Sequence, residues 1–268
     1  MKTNYHTHTI FCDGKNTAEE NVLCAIEKGF DILGFSSHSM YPFSSDWHIP
    51  SRNIGDYCAE IRRLKKLYGD KIEIKLGFEA DFIPTITEPT FGNYSEFSPE
   101  FIIGSVHYIQ TECGIFAVDA SIDILKKGIN QYFSGNVKKA VQAYFDIERQ
   151  MLKKGGFSVI GHADLITKFQ ERERLFDEGE SWYKSELKAT ADEIKRAGVI
   201  AEINTGAISR GYKSLPYPSE YFLSLLCERG VPVIISSDSH SAQNLDAGFE
   251  LARSVAEKAG YKEIVEKI

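Results

Sequence analysis

Short apolar runs alternate along this chain with longer amphipathic stretches. Seven of the runs read as strands: residues 2–8, 31–38, 72–80, 101–108, 157–162, 199–205 and 231–238. They are brief, apolar and bounded by glycine or polar residues, as expected of strands buried on both faces. Helical spacing fills the intervals, over 18–28, 52–68, 121–133, 136–154, 181–197, 218–229 and 243–259. Thr17 and Glu20 form a T-x-x-E capping box at the first of these. Gly29, Gly69, Gly155, Gly198, Gly230 and Gly260 stand just past helix ends, where a left-handed residue stops a helix. Strand-then-helix alternation predicts a parallel sheet. The length, 268 residues, suits one α/β barrel over the whole chain, and neither a linker nor an internal repeat interrupts it. Two segments break the rhythm, 39–51 and 84–100. Both follow strands, where α/β enzymes build the walls of their sites.

Composition narrows the class. Hydrophobic residues make up 43% and charged residues 26% of the chain, and mean hydropathy is -0.25, which is ordinary for a globular protein with a core. No apolar run approaches a bilayer span. The first residues show neither an h-region nor a cleavage site, so the expected location is cytoplasmic. Five cysteines, scattered and never in a C-x-x-C pair, argue against a disulfide framework or a zinc ribbon. Cys12 lies near two histidines but reads as a small buried residue rather than a thiolate ligand. A net charge of -7 disfavours a nucleic-acid or anionic membrane surface.

The polar residues at the strand ends change the picture most. His6 and His8 end the first run, His38 the second, Glu79 the third, His107 the fourth, His162 the fifth, and Asp238 with His240 the last. Six of the seven histidines thus fall at the carboxyl ends of expected strands, the end at which parallel α/β folds place their sites. One such histidine is ordinarily structural. Six of them, joined by Asp13, Glu79 and Asp238, would be costly to desolvate together without a ligand. Nine nitrogen and oxygen donors suit two or three divalent ions, since a catalytic ion takes about three protein ligands. Without thiolate, the set accepts Zn, Mn or Fe.

These motifs together resemble the PHP (polymerase and histidinol phosphatase) family: the H-x-H start with Asp13-Gly14, the strand-end His38, G-F-E at 77–79, S-V-H at 105–107, G-H-A-D at 161–164 and S-D-S-H at 237–240. Size and the E-I-N-T-G segment at 202–206 look most like its histidinol-phosphate phosphatase branch. The resemblance implies a distorted (β/α)7 barrel with a trinuclear site. One ion would take His6, His8, Glu79 and Asp238; a second would share Glu79 and take His107 and His162; the third would take Asp13, His38 and His240. Many family members carry histidine about where Asp13 stands. The implied activity is hydrolysis of L-histidinol phosphate, a step of histidine biosynthesis, by a hydroxide bridging two ions, with Glu79 and Asp238 at its centre.

Phosphate monoesters hydrolyse very slowly unaided, so such a site must lower a large barrier. His48, the histidine outside the strand-end set, is a candidate general acid, as is Asp164; a surface histidine and a capping aspartate are the simpler readings. Arg210 is the first candidate for phosphate oxygens, because guanidinium offers a bidentate fork, and Lys168 the second. Tyr41, Phe43, Asp46 and Trp47 would wall the part of the substrate that bears amine and imidazole. The alternative within the family is a phosphoesterase or nuclease acting on nucleotides or oligonucleotides, though no basic, aromatic-interleaved stripe is present to hold a strand. A metal-binding module without chemistry and a metal-dependent amidohydrolase are the remaining readings.

Overall fold

The computed structural model describes residues 1–268. Nine strands are present: β1 Thr3–Asn4, β2 Ile32–Phe35, β3 Glu73–Asp81, β4 Phe101–Ser105, β5 Tyr108–Thr111, β6 Gly114–Ala117, β7 Val159–Ile160, β8 Ile200–Asn204 and β9 Val233–Ser236. The helices are α1 Ala18–Glu27, α2 Ile54–Tyr68, α3 Ile122–Phe133, α4 Val137–Lys154, α5 Ser181–Ala197, α6 Gly206–Ser209, α7 Glu220–Glu228 and α8 Phe249–Lys258. Seven strands form one parallel sheet in the order β1-β2-β3-β4-β7-β8-β9. The sheet nearly closes on itself. Thr7 bridges Ser239 in parallel, with His8 N donating to Ser239 O at 2.9 Å and Ser239 N to His6 O at 3.0 Å. Just below, Asn4 Nδ2 donates to Ser237 Oγ at 2.8 Å. This is the expected α/β barrel of seven strands. None of its helices is long and apolar enough to cross a membrane.

Alternation along the strands builds the interior in layers, because residues i and i+2 share a face. One set of positions, including Leu33, Phe35, Phe78, Ile102, Ile160, Ala201, Ile203, Val233 and Ile235, packs outward into the core shared with the helices. The other set faces the barrel axis. At its amino-terminal end Tyr5, Ile32, Phe101, Ile103, Val159 and Ile234 form a closed apolar plug. Gly77 belongs to this layer, and a Cβ there would lie 2.5 Å from the Phe101 ring; only glycine leaves the ring its place. One or two steps further along the same inward series come Glu79 and Asp81, Ser105 and His107, Glu202 and Asn204. The barrel is thus apolar below and polar above.

All the sheet strands except β3 are shorter than their sequence runs. β1 stops at Asn4, β4 at Ser105 and β7 at Ile160, so His6, His8, His107 and His162 sit just past the ladders. There the backbone leaves regular pairing as those side chains converge; Thr7 O, for example, accepts from Ser36 N at 3.0 Å. The Thr17–Glu20 capping box forms as read, with Glu20 N donating to Thr17 Oγ1 at 3.2 Å and Thr17 N to Glu20 Oε2 at 2.8 Å. α8 starts later than residue 243, because Ala242–Asn244 form a 3-10 turn first. The antiparallel hairpin β5–β6 and the short α6 had no counterpart in the sequence reading.

Candidate metal centre

The polar layer opens into a cavity of about 170 Å³ lined by Asp13, His38, Trp47, Glu79, His107, Asp119, Ala120, His162, Leu165, Lys168, Arg210, Asp238 and His240, with His6 and His8 buried beneath it. Glu79 is its hub. Oε2 lies 3.0 Å from His6 Nε2, 3.5 Å from His8 Nε2 and 3.1 Å from His38 Nδ1, and Oε1 lies 2.9 Å from His162 Nε2 and 3.4 Å from His107 Nε2. Asp238 Oδ1 is 3.2 Å from His8 Nε2 and 3.7 Å from His6 Nε2. Asp13 Oδ2 is 3.1 Å from His240 Nε2, while its Oδ1 is 3.6 Å from His8 Nδ1. All nine side chains expected as ligands therefore share one basin.

The donors group as a metal would need them. Three sets have donor atoms within 4.8 Å of one another: His8, Asp13, His38 and His240; His6, His8 and Asp238; His38, Glu79 and His107. His8 and His38 each belong to two sets, and His162 reaches the centre through Glu79. The buried atoms His6 Nε2, His8 Nε2, His38 Nδ1 and Asp13 Oδ1 have no hydrogen-bond partner. Unpartnered polar atoms of this kind are expensive in a protein interior unless something binds them. Nitrogen and carboxylate oxygen, without thiolate, are the donors that suit divalent transition ions. The residues fit such ions.

The outer contacts fix which nitrogen faces the basin. His6 Nδ1 donates to Glu202 Oε1 at 2.6 Å, and Glu202 Oε2 accepts from His162 N at 3.0 Å. His107 Nδ1 donates to Asp81 Oδ1 at 2.9 Å, and the other Asp81 oxygen accepts from the Tyr41 hydroxyl. Each carboxylate leaves Nε2 of its histidine turned inward, an arrangement that orients metal ligands and raises their basicity. Asp238 takes a left-handed backbone, φ +46, a conformation costly for a non-glycine residue and frequent at functional sites. Arg210 donates from NH2 to Asp238 Oδ2 at 2.7 Å and from Nε to Gly206 O at 3.1 Å.

Titration follows from this crowding. Burial opposes charge on His107, yet Asp81 and Glu79 beside it push it up to about 10. His6 is likewise held well above its ordinary value, burial being outweighed by Glu202, Glu79 and Asp238. His8 goes the other way, down to about 3, through burial and the neighbouring His240 and His38. Although burial works against the ionised form, His6, His38 and His107 hold Glu79 well below the usual carboxylate range, and Arg210 and His6 do the same for Asp238. Burial raises the Cys12 thiol to about 12, so it stays a thiol, as its sequence context suggested.

Four expectations are revised. His48 does not enter the cavity. Its turn folds back so that Nδ1 meets Ser45 Oγ at 2.5 Å and the ring rests 4.7 Å from that of Tyr41, leaving Trp47 to face the site. Asp46 is exposed and points no charge inward. Asp164 is buried away from the cavity and accepts from Ser219 N at 2.8 Å, so it serves the start of α7. Tyr41 is no wall but an anchor for Asp81. Arg210 and Lys168 do line the cavity, with Lys168 Nζ donating to Asp119 O at 2.8 Å and to its Oδ2 at 3.1 Å. Apart from Glu202's place in the 202–206 segment, Glu202, Asp81 and Asp119 went unremarked in the sequence. The first two carry a signal, since each lies on the inward face of its strand; Asp119 follows the unforeseen hairpin.

Fold and cavity together define an α/β barrel with an imidazole–carboxylate centre for divalent metal at its carboxyl-terminal mouth. Residues 4–206 match the PHP domain family, and the chain belongs to that family. Asp238 and His240 lie beyond the matched stretch, and the barrel returns them to the same basin. The chain is 27% identical to the "Probable histidinol-phosphatase" of Schizosaccharomyces pombe over 276 aligned residues, covering 97% of this chain and 87% of that protein. It is 25% identical to the histidinol-phosphatase of Bacillus subtilis, over 93% of this chain and 97% of that one. The crystal structure of the histidinol phosphate phosphatase of Lactococcus lactis, complexed with Zn, L-histidinol and phosphate, superposes with a TM-score of 0.74. The identity is 22%, over 98% of this chain and 95% of that one.

Proposed function

We propose that this chain is a metal-dependent phosphomonoesterase that hydrolyses L-histidinol phosphate to L-histidinol and phosphate. The observation that carries the reading is the convergence of nine imidazole and carboxylate side chains on one small cavity that Arg210 and Lys168 also enter. The names of the relatives in Schizosaccharomyces pombe and Bacillus subtilis support the substrate.

His6, His8, Asp13, His38, Glu79, His107, His162, Asp238 and His240 would hold two or three ions, Zn, Mn or Fe, with Glu79 shared between them. The chemistry supplied there is Lewis acidity, which activates water and offsets the charge that gathers on phosphoryl oxygens as the ester bond breaks. The chain's own part is positioning. Glu202 and Asp81 lock the rings of His6 and His107 in one tautomer. Lys168 has a third N–H beyond the two given to Asp119, a donor that a phosphate oxygen in the cavity would take. Arg210 holds Asp238 in its strained conformation and brings a delocalised cation to the same wall. Trp47 and Leu165 add apolar surface to the cavity lining.

The chain carries no basic, aromatic-interleaved stripe to hold a strand, which favours the monoester over the nuclease reading. Phosphate release should be measured in parallel on L-histidinol phosphate, a nucleoside monophosphate and a short DNA oligomer, before and after chelation. Release from L-histidinol phosphate alone, lost on chelation and restored by added divalent metal, is the expected result. Preferential cleavage of the oligomer or of the nucleotide would overturn the proposal.

A further inference from the structure

Two irregular segments interrupt the strand–helix rhythm, 39–51 after β2 and 84–100 after β3, and of all their residues Trp47 alone lines the cavity. Contact with a substrate therefore does not account for them. They meet instead at Asp81, the last residue of β3. From the second segment, Thr87 Oγ1 donates to Asp81 O at 2.9 Å, and the Thr87 main chain bridges Ile83. From the first, the Tyr41 hydroxyl donates to Asp81 Oδ2. The Tyr94 hydroxyl donates to Ser39 Oγ at 2.8 Å and ties the two segments to each other.

Asp81 passes this fixation on to a ligand-type histidine. It is fully buried, and its Oδ1 accepts from both His107 N and His107 Nδ1, each at 2.9 Å. Its Oδ2 accepts from Tyr41 alone. Burial and the neighbouring Asp81 hold the Tyr41 phenol well above its ordinary value, so it stays a donor. The Tyr41 ring packs with Ile83, Tyr108 and Ala117. On the cavity wall, Trp47 Nε1 donates to the Tyr41 hydroxyl oxygen at 3.4 Å. A continuous path thus runs from Trp47 through Tyr41 and Asp81 to His107. His6 is held differently. Its carboxylate, Glu202, takes its other hydrogen bonds from His162 N and Asn204 Nδ2 and none from either segment.

We infer that Tyr41 is a positioning residue for His107: through Asp81 it fixes the ring and the main chain of that ligand, and the two irregular segments are the brace that keeps it there. The inference rests on the metal-centre reading above and goes beyond it by assigning both segments to one ligand. Without the hydroxyl, Asp81 Oδ2 would be a buried carboxylate oxygen lacking a donor, and the group would be free to turn away from His107 Nδ1–H. A ligand imidazole that loses its outer carboxylate holds metal less tightly.

The test is Tyr41→Phe, which keeps the packed ring, beside Asp46→Asn, an exposed position on the same segment. Zn is titrated in competition with a chromophoric chelator, and the imidazole N–H protons of Zn-loaded protein, isotope-labelled at histidine nitrogen, are followed by NMR. Tyr41→Phe is expected to bind one ion about tenfold more weakly. Its His107 Nδ1–H resonance should shift or exchange faster with water while that of His6 stays, and turnover lost at limiting Zn should return with excess Zn. Asp46→Asn should match wild type. Unchanged Zn affinity with an unmoved His107 resonance would overturn the inference. So would equal changes at His6 and His107, or a defect that excess Zn does not relieve, since both mark a general loosening of the fold. Should Tyr41→Phe not fold, Thr87→Val, which releases the other grip on Asp81, is read in the same way. The chelator and NMR readouts need no substrate, so a wild type that binds Zn yet releases no phosphate from L-histidinol phosphate would overturn the functional reading alone.

Discussion

Glu202 shows how much of this site is set by residues that would touch neither metal nor substrate. Its two oxygens hold the His6 ring and the backbone of His162, and Asn204 Nδ2 donates to it at 2.9 Å. Glu202→Gln keeps the shape but replaces a charged acceptor for His6 Nδ1–H with a neutral amide. Metal affinity should fall about 10- to 100-fold, read by competition with a chromophoric chelator; unchanged affinity would leave Glu202 without a role at the centre. Eight of the nine ligand-type residues were legible in the sequence because strand ends and the H-x-H spacing announce them, and Asp13 through the family resemblance. Glu202 was legible only as part of a segment, since a carboxylate within an apolar strand reveals its partner once the barrel has closed. His48 misled for the converse reason. A histidine in an aromatic loop carries no period to say which way it faces.

At the scale of elements, the inward strand ends meet above a tightly packed apolar plug, and where the turn that follows a strand is short, a glycine lets the neighbouring groups approach. The turn from β8 into α6 is the clearest case. A Cβ on Gly206 would lie 2.6 Å from Asp238 Oδ2 and 2.8 Å from Arg210 NH2. Gly206→Ala should thus push Asp238 off its position, lowering kcat/KM on L-histidinol phosphate at least about tenfold while the far-ultraviolet dichroism stays that of the parent; wild-type kinetics would show that the contact relaxes without consequence. Helix positions were readable from 3.6-residue periodicity and closing glycines. The hairpin β5–β6 was not singled out, although Tyr108–Thr111 and Gly114–Ala117 have the right length, because an isolated pair of short strands has no neighbouring pattern to set it apart from loop. That omission hid Asp119.

For the whole molecule, an acidic chain that binds an acidic substrate is reconciled by a centre built to gather cations. The apo protein must keep that cluster neutralised with protons instead. His107, raised from an ordinary 6.5 to about 10, stabilises the apo fold fully below about pH 6.5 and loses that contribution as pH climbs toward 10. His6, raised in the same direction, adds to it. Metal binding must displace these protons. Loading the apo protein with Zn near pH 7.5 should therefore acidify a weakly buffered solution, and apparent affinity should strengthen as pH rises from 6.5. Uptake with no proton release would mean that these imidazoles are already neutral.

The account turns on metal and chemistry sharing one basin. Divalent metal should be returned stepwise to chelator-stripped protein, with bound ions counted by elemental analysis beside turnover of L-histidinol phosphate in each sample. Turnover negligible without metal and rising to its plateau as two to three ions per chain are bound is the predicted result. Full turnover in metal-free protein, or a chain that retains no divalent ion at all, would contradict it.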